Sequence, residues 1–320
     1  MRKLEWLELE DGKRAAVHVW LPGPQQSVHA AVHICHGMAE HAGRYERLAV
    51  ELVSHGCAVA AQDHRGHGQT AGSLDQRGVL PSRGGWEQLV RDAQAAAVWT
   101  AGLAPGKPLF LLGHSMGSFL ARRVAQVGLP QPGLRLSGLI ASGTAGNPGP
   151  MAAIGRLLAR SAASLHRPDT PSPLMDRLIF GGYNRRFRPV RTSYDWLSRD
   201  TQEVGRYLAD PWCGGIFPAR FYAELLYGIR QVNRPAELRR TPPELPVLLL
   251  SGSEDPLARL GRGIAAVQRA YAGAGAADVQ LKLYPGGRHE PLNEVNRDEV
   301  VRDILVWLEQ HGLPRSECYH

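Results

Sequence analysis

Long apolar runs and closely spaced cysteines are both absent from this chain of 320 residues. No run approaches the roughly 20 apolar residues that a helix needs to cross a bilayer, and residues 1–8 lack the apolar stretch of a secretory signal. The four cysteines, Cys35, Cys57, Cys213 and Cys318, are scattered along the chain. Because such spacing does not indicate a disulfide framework, we expect a reduced, cytoplasmic protein.

Negative charge is in deficit: 30 Asp and Glu stand against 37 Lys and Arg, so the net charge is +7 at pH 7. A basic protein can bind nucleic acid, anionic lipid or acidic substrates. No recognition-helix or RNA-binding signature accompanies the charge, which argues against a nucleic-acid partner. We favour a solvated basic surface, with transient contact to an anionic membrane as the alternative. The arginines crowd one segment, at Arg185, Arg186, Arg188, Arg191 and Arg199.

The most informative segment present is an apolar stretch, 108–112, that runs into Gly-His-Ser-Met-Gly at 113–117. An amphipathic stretch, 119–127, follows it. This succession of strand, sharp turn and helix is the context of a nucleophile elbow, in which glycines permit a strained turn that exposes the serine hydroxyl. We therefore predict that Ser115 is a nucleophile rather than an ordinary helix N-cap.

Two later strand ends could present the partners of such a serine. The apolar stretch 246–250 is followed by Glu254 and Asp255, and the stretch 279–284 is followed by His289. An imidazole can accept the serine proton near neutral pH, and a carboxylate can fix its tautomer. Asp255 is the preferred acid because its short side chain and the following proline suit a rigid turn; Glu254 is the rival.

Backbone amides are expected to bind the oxyanion of such a reaction. One donor follows the serine, and the second comes from an early strand-to-helix loop. The stretch 30–35 is typical of a buried strand, so we predict Met38 and Met116 as the two donors. The candidates for the pocket lining are His36, Gly37 and His114.

Several segments of this sequence, spread through nearly the whole chain in the right order, resemble the monoacylglycerol lipase and lysophospholipase branch of the α/β-hydrolases. They lie at 36–41, 63–68, 113–117, 195–200, 207–211 and 287–294.

The resemblance implies an α/β-hydrolase fold with an eight-stranded, mostly parallel sheet. It also implies a serine hydrolase with Ser115 as nucleophile, Asp255 as acid, His289 as base, and the Met38 and Met116 amides as oxyanion donors. The implied substrate is a single-chain lipid ester, such as a monoacylglycerol or a lysophospholipid. No cofactor is required.

The succession of apolar stretches predicts a parallel sheet with helices on both faces. An antiparallel hairpin, 4–9 and 15–21, comes first. The further predicted strands are 29–35, 57–62, 108–113, 135–142, 246–251 and 278–284. The predicted helices are 42–55, 86–101, 115–127, 261–273 and 296–311.

About a hundred residues interrupt this alternation, and glycine and proline are frequent at both ends of the interruption. We expect a catalytic core at 1–144 and 244–320 and an inserted helical cap at 145–243. Two helical faces are apolar, and we expect both to pack onto the core, with a lipid-facing lid as the alternative. One face comprises Met151, Ile154, Leu157, Leu158 and Leu165; the other comprises Phe221, Leu225 and Ile229.

Histidines cluster near one strand and its neighbour, which raises the question of a metal site. They are His29, His33, His36, His41, His64 and His67. No carboxylate or thiolate arrangement closes a site around them, so we predict no metal. His36 and His64 are expected to line or brace the pocket through hydrogen bonds.

These patterns favour an enzyme that cleaves carboxylic esters through an acyl-enzyme. An aminopeptidase on the same three residues stays open and needs an acidic anchor for the substrate amine, for which Glu203, Asp210 and Glu224 are available. A polyester depolymerase is a further alternative. A non-enzymatic binding protein is disfavoured because it has no need of a base and an acid at those strand ends.

Overall fold

The computed structural model describes residues 2–165 and 169–314. Within these residues the chain forms a sheet of eight strands. The strands are β1 (Arg2–Glu8), β2 (Arg14–Trp20), β3 (Ala30–Cys35), β4 (Cys57–Gln62), β5 (Leu109–His114), β6 (Gly138–Ser142), β7 (Val247–Gly252) and β8 (Val279–Tyr284). Their order across the sheet is β1-β2-β4-β3-β5-β6-β7-β8. The pairs β1–β2 and β2–β4 are antiparallel and the others are parallel, which confirms the predicted hairpin and the mostly parallel sheet.

Helices follow most of the parallel strands. They are α1 (Glu46–Ser54), α2 (Gly68–Ala71), α3 (Gly85–Ala101), α4 (Met116–Val127), α5 (Pro150–Leu165), α6 (Pro173–Phe180), α7 (Thr201–Ala209), α8 (Ala219–Val232), α9 (Pro235–Leu238), α10 (Arg262–Gly273) and α11 (Arg297–Gln310). Short 3₁₀ helices occur at Ala42–Tyr45, Leu74–Gln76, Tyr183–Arg186 and Pro291–Asn293. No helix in the described part of the chain is long and apolar enough to span a membrane.

The central strands are buried along their whole length because helices cover both faces of the sheet. Side chains of β5 alternate between the two cores that result. Phe110 and Leu112 pack into the core that contains Trp307 of α11, whereas Leu111 packs into the core that contains Trp86 of α3. Because β3 to β8 run parallel to one another, their carboxyl ends and the loops that follow them lie at one edge of the sheet.

Two predicted elements differ from the structure. The predicted strand 135–142 begins only at Gly138. The Ser137 amide still donates a hydrogen bond to the Leu109 carbonyl at 2.7 Å, but residues 135 and 136 precede the start of both neighbouring strands, β5 at Leu109 and β7 at Val247. The predicted helix 42–55 is a 3₁₀ turn followed by α1. The other predicted strands and helices agree with the structure to within two residues.

No strand of the described part lies between β6 and β7 in the chain; the helices α5 to α9 occupy this interval. Helix α5 packs against α8, and α8 contacts α3 and α4. Phe221 and Leu225 of α8 are buried, but Ile154, Leu157 and Leu158 of α5 are exposed. The expectation that both apolar faces pack onto the core is therefore wrong for α5.

Cys318 lies outside the described residues, and so do the side chains of Met151 and Leu165. The other three cysteines are free and buried. The division into a core at 1–144 and 244–320 and a cap at 145–243 stays a prediction.

Candidate active site

Ser115 stands on a strained turn between β5 and α4. Its φ of +51° lies in the left-handed region, which confirms the unfavourable backbone expected of an elbow. The glycines on either side are required by close packing. A Cβ on Gly113 would lie 2.2 Å from the Gly117 carbonyl oxygen, and one on Gly117 would lie 2.0 Å from the Cys35 carbonyl oxygen. The start of α4 is thereby pressed against the end of β3.

The structure brings Ser115, His289 and Asp255 together at three different strand ends. His289 Nε2 lies 2.9 Å from Ser115 Oγ, and His289 Nδ1 lies 3.0 and 3.1 Å from the two Asp255 carboxylate oxygens. Asp255 is fully buried, and its carboxylate also accepts a hydrogen bond from the Leu257 amide. With Nδ1–H donating to Asp255, Nε2 is free to accept the serine proton.

Glu254, the rival acid, does not reach this chain of hydrogen bonds. Its carboxylate is partly exposed and lies 3.8 Å from Arg186. The turn after β7 directs Asp255 inward and Glu254 toward solvent.

The local charges favour this arrangement. Burial of His289 disfavours its protonated form, but the ionised Asp255 outweighs burial and raises the pKa of His289 above its ordinary value. The pKa of Asp255 is lowered, because His289 and backbone amides outweigh its burial. His114, whose ring centre lies 4.9 Å from that of His289, is kept neutral, since burial and the neighbouring imidazole lower its pKa to about 4.

The amides of Met38 and Met116 belong to segments that flank Ser115. Met116 is the first residue of α4, where amides have no intrahelical acceptor. The loop that carries Met38 passes close to Ser115, since a Cβ on Gly37 would lie 3.3 Å from the Ser115 Cβ. No acceptor within 2–165 or 169–314 pairs with the Met38 amide.

Ser115 and His289 open onto a cavity of about 960 Å³. The predicted pocket residues Gly37 and His114 line it, but His36 does not. Most of the wall is apolar. It includes Met38, Phe119, Ile179, Phe180, Leu225, Leu226, Ile229, Leu257 and Leu260.

His36 braces the site from behind. It is fully buried; its Nδ1–H donates to the Gly37 carbonyl at 2.7 Å, and its Nε2 accepts from the His64 amide at 2.9 Å. Of the two alternatives that the sequence predicts for His36, lining the pocket is therefore wrong, whereas bracing it through hydrogen bonds agrees with the structure. Both imidazole nitrogens make hydrogen bonds, and these hold the ends of β3 and β4 together.

Trp196 was not singled out individually in the sequence, yet it lies against His289. Its ring centre lies 5.0 Å from that of His289, and its carbonyl accepts a hydrogen bond from the His289 amide at 3.3 Å. Phe180 stacks on the Trp196 ring, and Tyr183 meets the Trp196 ring edge-on. The segment 195–200 was noted only for its family resemblance. The contact of Trp196 with His289 depends on the folded structure, because the two residues are far apart in the sequence.

One group of residues in the described part has donor atoms close enough for a metal ion: His41, Asp210 and Cys213, within 4.8 Å of one another. The hydrogen bonds of His41 join it to Asp210 directly, without a metal ion between them. His41 Nδ1 accepts from the Gly43 amide, so Nε2 carries the proton and donates to Asp210 at 2.8 Å. This pair links the loop after β3 to the segment after α7.

The comparisons with known proteins agree on one family. The family model described as Serine aminopeptidase, S33 (Hydrolase_4) matches residues 26–296. Monoacylglycerol lipase of Mycolicibacterium smegmatis is 30% identical over 308 residues, which are 94% of this chain and 94% of that protein. Monoglyceride lipase of Homo sapiens is 31% identical over 307 residues, which are 94% of this chain and 88% of that protein.

A solved structure shows the same architecture at high similarity. It is a thermostable carboxyl esterase from Bacillus coagulans in complex with glycerol, with a TM-score of 0.87 and 26% identity. The match covers 97% of this chain and 98% of the esterase.

Proposed function

This chain belongs to the Hydrolase_4 family of α/β-hydrolases, in a branch with monoacylglycerol lipases, and from that premise we propose that it cleaves single-chain lipid esters through an acyl-enzyme. One observation carries the proposal: the hydrogen-bonded Ser115, His289 and Asp255 meet at the wall of a large apolar cavity.

The proposed reaction begins when Ser115 Oγ attacks the ester carbonyl while His289 Nε2 takes its proton. Asp255 holds the imidazole and stabilises the imidazolium. The Met38 and Met116 amides bind the oxyanion of the tetrahedral intermediate; losing one such donor costs about 10²–10³ in rate. His289 then protonates the leaving alcohol, and a water molecule repeats the sequence on the acyl-enzyme to release the fatty acid.

The cavity supports a lipid acyl chain as the substrate group. Its volume of about 960 Å³ and its aliphatic and aromatic wall suit a long hydrocarbon chain rather than a small polar acyl group. The names of the two curated relatives, and the glycerol in the esterase structure, support a glycerol ester among the possible lipids.

An aminopeptidase needs a carboxylate in the cavity to bind the substrate ammonium group, and the three proposed anchors do not provide it. Glu203 pairs with Arg47 and Arg206, Asp210 with His41, and Glu224 accepts from the Trp86 amide. None of the three lines the cavity.

Among the described residues, three carboxylates line the cavity, and each already has a partner. Glu40 and Glu290 bind Arg44. Asp176 accepts a hydrogen bond from the Tyr222 hydroxyl. Burial raises the pKa of Asp176 above its ordinary value, and the hydrogen bond from Tyr222 opposes that shift. These contacts favour the lipase over the aminopeptidase.

We further propose that the segment 145–243 is a cap through which the enzyme makes transient contact with an anionic membrane surface. Five aliphatic side chains on α5 and α6 are 47–66% exposed, and α6 also contributes Ile179 and Phe180 to the cavity wall. An exposed apolar patch beside arginines is typical of interfacial helices. The five are Ile154, Leu157, Leu158, Leu174 and Leu178, and the nearby arginines in sequence are Arg156, Arg160 and Arg177. A cytoplasmic location stays a prediction of the sequence.

Fatty-acid release from monooleoylglycerol by the purified protein tests the proposal, with Ser115→Ala as the control. We expect rapid release that the substitution abolishes. If the wild-type protein releases no fatty acid while Ser115 reacts with a fluorophosphonate, the lipid-ester assignment is wrong, and peptide amides and polyesters are tested next.

A further inference from the structure

Arg44 joins two loops that lie on either side of Ser115. One is the loop after β3, which carries Met38 and Glu40; the other, after β8, carries His289 and Glu290. Arg44 makes two parallel hydrogen bonds to Glu290, both of 2.8 Å, and a third of 2.6 Å to Glu40. Both carboxylates are nearly fully buried. A guanidinium group therefore bridges two buried charges that come from distant parts of the chain.

The Glu40 end of the bridge fixes the loop that presents the Met38 amide. Glu40 Oε1 accepts from the Gly37 amide at 2.5 Å and from the Tyr45 hydroxyl at 2.8 Å, while Oε2 binds Arg44. Ala39, which lies between Gly37 and Glu40, has a φ of +59°. Residues other than glycine rarely adopt this backbone conformation unless the surrounding contacts hold it. Gly37 fits between the Glu40 carboxylate and Ser115, because a Cβ there would lie 2.6 Å from Glu40 Oε1. The turn is closed by a carboxylate that Arg44 holds.

The Glu290 end fixes the loop that presents His289. Glu290 follows the base directly, its amide donates to the Leu197 carbonyl at 2.8 Å, and its carboxylate also accepts from Asn293 at 2.9 Å. Two carboxylates and one guanidinium give this cluster a net charge of −1 beside the imidazole. Arg44 lowers the pKa of both glutamates against the effect of burial, so both stay ionised.

We propose that Arg44 is a positioning residue that holds the Met38 amide and the His289 imidazole in register around Ser115. The inference rests on the proposed function. Arg44 does not line the cavity, so it acts through Glu40 and Glu290 and not on the substrate. Without its charge, two buried carboxylates face each other uncompensated, and their repulsion separates the loops.

The test compares Arg44→Met and Arg44→Lys with the wild-type protein on p-nitrophenyl butyrate, a short soluble ester. We expect Arg44→Met to lower kcat by about 10–100-fold, because small misplacements of catalytic groups carry losses of this size. KM is expected to stay within about twofold, since no contact with the substrate is removed. Arg44→Lys keeps the charge but loses the two-pronged contact, and we expect it to restore part of kcat. If Arg44→Met does not fold, the lysine variant alone still separates kcat from KM.

Arg65→Met is the matched control. Arg65 is also nearly buried and also bridges two carboxylates, Asp92 at 2.9 Å and Asp11 at 2.9 Å, but neither of these carboxylates lines the cavity, whereas Glu40 and Glu290 do. Its loss should lower Tm without lowering kcat. A kcat loss in Arg44→Met no greater than in Arg65→Met, or a rise in KM at unchanged kcat, would overturn the inference.

The rate at which a fluorophosphonate labels Ser115 separates this inference from the proposed function. Labelling uses the same serine, base and oxyanion amides but no particular ester. If no ester is cleaved by the wild-type protein, the proposed function fails, and a labelling rate that falls in Arg44→Met but not in Arg65→Met still supports Arg44 as a positioning residue. Equal labelling rates in the two variants would refute it.

Discussion

The Trp196 ring lies 5.0 Å, centre to centre, from the imidazole of His289, and the Trp196 carbonyl accepts a hydrogen bond from the His289 amide. A residue from the segment between β6 and β7 thus contacts His289, which follows β8, in a site whose other residues follow β3, β5 and β7. This contact limits the orientations that the imidazole can take.

Replacing Trp196 should therefore change the rate more than the fold. In Trp196→Leu the backbone hydrogen bond to His289 is kept but the ring contact is lost, and we expect kcat to fall by about tenfold as the imidazole gains freedom. Trp196→Phe keeps an aromatic face and should retain most of the activity. The measurement is kcat on p-nitrophenyl butyrate; equal losses in the two variants would show that the aromatic contact is not responsible.

We expect substitutions of the two neighbouring acids after β7 to have very different effects on kcat. Asp255→Asn removes the acceptor that fixes the Nδ1–H tautomer of His289, and we expect kcat to fall by about 10⁴-fold. Glu254→Gln removes only a long, partly exposed ion pair with Arg186, and its effect should stay within about twofold. Steady-state kinetics of both variants decide the matter. A larger loss in Glu254→Gln would move the acid role to that residue.

The pH dependence of kcat/KM should report the raised pKa of His289. Despite burial, the ionised Asp255, and further Glu290 and Glu40, favour the imidazolium, so His289 loses its proton above the ordinary value of 6.5. Since the base must be neutral to act, activity rises with pH through a midpoint above 6.5.

Glu290→Gln tests the cause of this shift. It removes one of the negative charges that favour the imidazolium, so the midpoint should move to lower pH. Glu254→Gln, which changes an acid outside the hydrogen-bonded chain, should leave the midpoint in place. A wild-type midpoint below 6.5, or the same midpoint in the wild type and Glu290→Gln, would contradict the electrostatic account.

The exposed leucines of α5 and α6 should govern contact with lipid surfaces. In a double variant, Leu157→Asn with Leu178→Asn, we expect weaker cosedimentation with anionic vesicles and slower release from vesicle-bound monooleoylglycerol. Hydrolysis of soluble p-nitrophenyl butyrate should be unchanged, because neither side chain lines the cavity.

Val50→Asn on α1 is the matched control, since Val50 is similarly exposed but α1 packs on the other core of the sheet. It should leave vesicle binding intact. Binding that is insensitive to salt, to the vesicle charge and to the two leucines would refute the membrane proposal.

The parts of the fold that the sequence predicts are those that neighbouring residues in the chain determine. The buried strands β3, β4 and β5 are mostly apolar on both sides, because a strand covered by helices on both faces has no solvent-facing side. Glycines around Ser115 indicate a turn that other residues could not form. In each case the residues that cause the structure lie within a few positions of where it forms.

The site itself could be predicted only as a set of candidates. The sequence named Ser115, Asp255 and His289 but left Glu254 open. Of its three candidates for the pocket lining, Gly37 and His114 line the cavity and His36 does not. Whether a side chain after a strand turns inward depends on the neighbouring loops against which it packs. Those neighbours come from elsewhere in the chain.

What the sequence determined by itself was the succession of strands, the strained turn at Ser115 and the order of the three candidate residues. Only the tertiary structure decided that His289 Nε2 lies 2.9 Å from Ser115 Oγ across 174 positions of sequence. It also decided that Arg44 ties Glu40 to Glu290 and that the apolar face of α5 stays exposed. The physical reason is that propensities and turn chemistry act between sequence neighbours, whereas ion pairs, burial and catalytic distances depend on which distant segments the fold packs together.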